Sequence, residues 1–142
     1  MRAQASKELL ASRANVWAFL AEPYHLSDWW PGVAGVRPDR RGLAPGARWE
    51  LMGPPQPTLL RSASASSMLV VGEVAPYEHV SWHLVRLRLD VDVRLSATSA
   101  DRTEVSVTIE GPWRPELFGR PRALPREALE RLYALCQTAA SL

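Results

Sequence analysis

From Leu89 to Gly111 the chain spells out two half-buried strands by plain alternation. Leu89, Val91, Val93 and Leu95 share one face, opposite Asp90, Asp92, Arg94 and Ser96; Val105, Val107 and Ile109 then alternate with Ser106, Thr108 and Glu110. Both apolar sets carry odd numbers, so an antiparallel hairpin must pair odd with odd. The expected register puts Ala97 opposite Val105 and Leu95 opposite Val107, with an odd-numbered loop around Ala100, Asp101 and Arg102. Faces of this kind need a second layer, and the C-terminal segment from Pro125 provides one. There Ala128, Leu129, Leu132, Leu135, Cys136 and Ala139 cover one side of a helix, with Arg126, Glu127, Glu130, Arg131 and Gln137 on the other. A sheet and a helix that are each apolar on one side bury those sides against each other, which predicts an α+β fold.

Twelve prolines mark where the other elements stop, because proline cannot donate to a ladder. Arg2 to Leu9 reads as a leading extended segment. Ser12 is the N-cap of a short helix from Arg13 to Ala21, which Pro23 ends, and Tyr24 to Trp30 forms a second short helical turn before Pro31-Gly32. Strand character follows at Val33–Pro38, Ala47–Gly53, Ser67–Ala75 and Val80–Leu87, ahead of the two alternating segments. Within Val80–Leu87 the apolar parity switches from even (Val80, Trp82, Leu84) to odd (Val85, Leu87), which predicts a bulge or strand end near Leu84. Gly53-Pro-Pro-Gln-Pro57 reads as a turn.

A chain of 142 residues fits one domain, residues 1–142, with one core. Apolar residues at 46% and charged residues at 23% exclude disorder as the overall state. The longest apolar run, Val16 to Ala21, falls far short of the ~18 residues of a membrane span, and Met1 to Leu10 carries no secretory apolar region. A single cysteine, Cys136, excludes an internal disulfide and a multi-thiolate zinc site. The expectation is a cytoplasmic protein without membrane insertion. Seventeen basic residues against fifteen acidic ones leave a net charge of +2; all the basic residues but Lys7 are arginine, so the high pI is no pointer to nucleic acid, and none is expected as a partner.

The order β-α-α-β6-α carries words that match it: Val16-Trp17 in a helix after a strand, Leu26-Ser27-Asp28-Trp29-Trp30-Pro31-Gly32-Val33, Pro45-Gly46-Ala47, Val74-Ala75-Pro76, Trp82, and Arg102-Thr103-Glu104-Val105 before the last strand. Together they resemble the START-like, or SRPBCC, superfamily, in particular its polyketide cyclase/dehydrase-like and coenzyme-Q-binding-like branch. Glu22-Pro23 departs from the Asp-Pro common there after the first helix. The resemblance implies a helix-grip fold, a curved antiparallel sheet around the C-terminal helix with a cavity between them; no cofactor is expected. It also implies a partner, a small hydrophobic molecule such as a lipid, polyketide or quinone-like compound. Two alternatives keep the same fold: an aromatase, cyclase or dehydratase working in that cavity, and a surface-acting interaction or toxin-like protein.

The expected lining is Trp49, Leu51, Trp82, Val93, Leu95, Val107, Ile109, Trp113, Leu132, Tyr133 and Cys136, in a pocket of about 300–1,000 Å³. Core packing is the competing role for the tryptophans, and it is favoured for Trp17, Trp29 and Trp30. For acid–base work the candidates are His83, read on the odd face of Val85 and Leu87, then Tyr133, with Arg48 behind them. By alternation Arg48, Glu50 and Glu73 belong on the solvated side. His79 and His83 stand about 13 Å apart along a strand at about 3.3 Å per residue, too far to share one metal, so no metal is expected. The loops at Gly53–Pro57 and Trp113–Leu124 are expected to rim the opening. Arg114, Arg120, Arg122 and Arg126 crowd the second of them, as a solvated basic loop or a lure for an anionic headgroup.

Overall fold

Among the described residues, punctuation and alternation translate into twelve elements. They are β1 (Arg2–Leu9), α1 (Arg13–Ala21), a 3₁₀ turn (Pro23–His25), α2 (Leu26–Trp29), β2 (Gly35–Pro38), β3 (Arg48–Met52), β4 (Ser66–Ala75), β5 (His79–Leu84), β6 (Leu89–Ser99), β7 (Arg102–Glu110), a second 3₁₀ turn (Pro121–Ala123) and α3 (Leu124–Ala140). The structure is a computed structural model and describes residues 1–53, 66–112 and 121–140. Ser12 caps α1 as expected: its Oγ accepts a hydrogen bond from the Asn15 N–H at 3.2 Å. Glu22, held extended ahead of Pro23, ends the helix.

The strands form one antiparallel sheet in the order β1-β7-β6-β5-β4-β3-β2. Odd pairs with odd across β6 and β7, but the register is two residues from the expected one: Leu95 faces Val105, Val93 faces Val107 and Ala97 faces Thr103. The ladder then shifts, so that Ser99 faces Arg102. Thr98 is the extra residue, and this bulge lets a two-residue turn, Ala100-Asp101, replace the odd-numbered loop. A second irregularity lies between Val71 and Val74 on β4. At Gly72 an added Cβ would come 2.7 Å from Ser81 Oγ, the atom that accepts the Glu73 N–H at 2.9 Å. The bulge thus needs a glycine and is stitched by a serine.

Alternation delivers one apolar face. Buried residues on the strands include Leu9, Val36, Trp49, Leu51, Leu69, Val71, Val80, Trp82, Leu84, Leu89, Val91, Val93, Leu95, Val105, Val107 and Ile109. α3 lies against β1 and β7 and against α2. It buries Ala128, Leu129, Leu132 and Cys136, whereas Ala139, expected on the same stripe, is exposed. Thr103 is the buried polar residue of the described core, and its Oγ1 donates to the Ala11 carbonyl at 2.9 Å, tying the start of β7 to the β1–α1 connection.

Candidate functional site

Cross-strand registers arrange the inner face in rows. One row runs Ala3, Ile109, Val91, Trp82, Val71; the next runs Ala5, Val107, Val93, Val80, Val74; a third begins Lys7, Val105, Leu95. Val93, Leu95, Val107, Ile109, Leu132 and Cys136, expected to share a lining, are all buried in one apolar cluster that spans the sheet and α3. Trp49 and Leu51 join it from β3. Trp49 is anchored there, since its indole N–H donates to the Gly42 carbonyl at 2.8 Å.

Trp82 stands differently. Its ring meets those of Trp29 and Trp30 edge to face, with centroids 5.9 and 6.0 Å away, and Trp29 and Trp30 are themselves 5.7 Å apart. Its Nε1 is buried and has no hydrogen-bond partner among the described residues.

Tyr133 sits half-buried at the margin of α3, as its position beside the helical stripe implied, with the Gln137 amide donating to its hydroxyl at 3.1 Å. Lys7 Nζ lies 4.8 Å from the centre of its ring. Lys7 was not among the sequence-derived candidates. The signal was present in the parity of β1, where Ala3, Ala5 and Leu9 turn inward and carry Lys7 with them. Among the described strand residues it is the charged side chain on the inner face.

The expected inward placement of His83 does not hold. His79, Ser81 and His83 face away from Val80, Trp82 and Leu84, and β5 ends at Leu84, so the parity of Val85 and Leu87 belongs to the turn and not to the strand. Arg88 takes a left-handed φ of 53° in that turn, and Val85 is exposed. The His83 side chain, 44% exposed, pairs with Asp90 through Nδ1 at 2.8 Å. His79 bonds Asp92 through Nε2 at 2.7 Å, and Asp92 also holds Arg94 Nε at 3.1 Å. Arg48 and Glu73 are exposed, in line with the outward reading of their strands. The backbone N–H of Arg48 bonds the Asp39 carboxylate and, with that of Arg41, holds its carboxyl below the usual range. Trp113, Pro54–Pro57, Arg114 and Arg120 lie outside the described residues, while Arg122 and Arg126 are exposed.

A depression of about 720 Å³ opens where the β6–β7 hairpin runs on past the start of β5. Arg13, Glu78, His79, Arg94, Ser96, Glu104 and Ser106 give it a polar wall. It shares only Leu95 with the expected lining, so it is not the cavity anticipated under α3.

No family model matches the sequence, and no curated protein matches it either. Solved structures do match the fold. Protein NE0264 from Nitrosomonas europaea is 17% identical, with a TM-score of 0.75 over 98% of this chain and 96% of that one. The chain has the START-like, or SRPBCC, fold. An AHSA1-like protein from Aeromonas hydrophila shares it at 17% identity and a TM-score of 0.73, over 99% of this chain and 94% of that chain. A point mutant of norcoclaurine synthase from Thalictrum flavum, solved with a transition-state analogue, is 14% identical with a TM-score of 0.70, over 99% and 96%. At such identities the START-like likeness describes the architecture: a curved antiparallel sheet with a C-terminal helix across it, in helix-grip fashion. No described helix is long and apolar enough to cross a membrane.

Proposed function

We propose that this protein binds a small, mostly hydrophobic molecule between the inner face of the sheet and α3. The observation that carries this reading is the chemistry of that face. Across the described strands it is apolar, and its single charge, Lys7, stands beside Tyr133 at the margin of α3, so that an apolar interior meets a polar rim. START-like relatives in shape include an enzyme solved with a transition-state analogue, which supports ligand binding by this architecture without naming a ligand for this chain.

Catalysis by a cyclase or dehydratase draws less support. His83 and Arg48 point outward, and of the three acid–base candidates only Tyr133 stays near the inner face. A cyclase needs a titratable group inside an apolar cavity, where burial tunes it toward neutral pH.

The test uses anilinonaphthalene sulfonate, whose rings suit the interior and whose sulfonate suits the rim. Saturable one-to-one binding, with displacement by unsubstituted naphthalene, is the expected result. It must be measured on protein that unfolds cooperatively in urea, because a loosened core also takes up this dye. Absence of saturable binding by such protein refutes the reading.

A further inference from the structure

We propose that the indole N–H of Trp82 is the polar anchor of this ligand site, and that it takes the carbonyl oxygen of a neutral aromatic compound whose rings lie against Trp29 and Trp30. The inference rests on the binding reading above and specifies its ligand.

Three observations converge on it. Trp82 is 3% exposed, yet its N–H meets no acceptor among the described residues. Trp49, elsewhere on the same face, is paired by contrast, its N–H donating to the Gly42 carbonyl. A buried donor left unpaired is uncommon and unfavourable, so an incoming acceptor recovers a cost that the free protein carries. The second observation is the company Trp82 keeps. Three indole rings within about 6 Å of one another form an aromatic corner in the middle of the sheet, suited to flat rings.

The third is the way that corner is closed. Trp29 ends a four-residue helix and Trp30 follows it, ahead of Gly32 with its left-handed φ of 83°. Both rings are themselves buried, but neither lies on a strand, so seating a ligand between them and Trp82 leaves every strand pair intact.

Chemistry narrows the ligand further. An indole N–H only donates, so it selects an acceptor over a hydroxyl or amine that must also donate. A carboxylate would arrive there without a counter-charge. The inward cation is Lys7, whereas the row through Trp82 meets β1 at Ala3, four residues from it. A neutral carbonyl on an aromatic frame satisfies both conditions.

The experiment compares acetylnaphthalene with isopropylnaphthalene, of similar shape but lacking the oxygen, by titration calorimetry on the wild-type protein and on Trp82→Phe. The ratio of the two dissociation constants should favour the ketone about five- to tenfold more in the wild type than in the variant, the effect of one hydrogen bond. An unchanged ratio overturns the anchor while leaving ligand binding intact. Binding of neither probe overturns the binding reading, and the anchor with it. Should Trp82→Phe not fold, nitrogen-labelled tryptophan in the wild type decides the matter. Acetylnaphthalene, and not isopropylnaphthalene, should move one buried indole N–H resonance downfield, and equal shifts with both probes refute the proposal.

Discussion

Cys136 offers a direct measure of how firmly α3 closes the inner face. It is the only cysteine of the chain and is buried on the helix stripe, and burial pushes its thiol from 9.0 up to about 11. At about pH 8 a thiol of pKa 9.0 is roughly 10% thiolate and one of pKa 11 roughly 0.1%, so ionisation alone slows attack on dithiobis-nitrobenzoate about 100-fold. Limited access slows it further. The same shift sets a pH dependence of stability. The folded state favours the neutral thiol, so its contribution is complete below about 9 and is lost as the pH rises through about 11. Two pH units of difference correspond to about 3 kcal/mol, an upper figure for this one group. Urea titrations from about pH 8 to 11 should therefore show the wild type losing stability, and Cys136→Ala losing less over the same window. A native reaction rate within about tenfold of the urea-unfolded rate at pH 8 would refute the seating of α3 on the sheet.

Other substitutions separate packing from surface. Leu132→Ala, at a fully buried position under α3, should cost about 2–5 kcal/mol in urea unfolding. Thr103→Val keeps the shape but leaves the Ala11 carbonyl without its donor, and should cost about 1–3 kcal/mol, with Thr103→Ser recovering part of it. His83→Ala removes one outward pair with Asp90 and should change stability by under about 0.5 kcal/mol, with binding of anilinonaphthalene sulfonate unaltered. A loss of dye binding in that last variant would restore His83 to the site.

The architecture was legible because two simple signals agree. Alternation set which face of β6, β7 and β3 is buried, and the prolines, with Ser12, set where helices and strands stop. The exact register of the last hairpin was not legible. Parity alone permits pairings that differ by two residues, and the choice fell to a local event: Thr98 bulges and Ser99 Oγ donates to Asp101 Oδ1 at 2.8 Å across the turn. Such a turn depends on backbone conformation more than on hydrophobic pattern. His83 shows the same limit from another side. A parity switch near Leu84 announces an ending, yet it cannot say which side of the ending sets the histidine's direction; the chain resolves this by stopping β5 at Leu84 and turning through Arg88.

Site chemistry divides along a similar line. Lys7 was readable, since Ala3, Ala5 and Leu9 fix its parity, and an inward lysine in an otherwise apolar row is a local contradiction of the pattern. Trp82 was readable as buried but not as unpaired. Whether an indole finds a carbonyl depends on what the fold brings alongside, and for Trp49 that is Gly42, seven residues back across a turn. Among the described residues nothing comparable reaches Trp82, which sits mid-sheet between Val71 and Val91 with the rings of Trp29 and Trp30 beside it. In a chain whose propensity, patterning and packing otherwise point the same way, the departures from consistency mark where selection has favoured something other than stability. A buried donor without an acceptor among the described residues is such a departure, and it is resolved by a ligand that brings the acceptor with it.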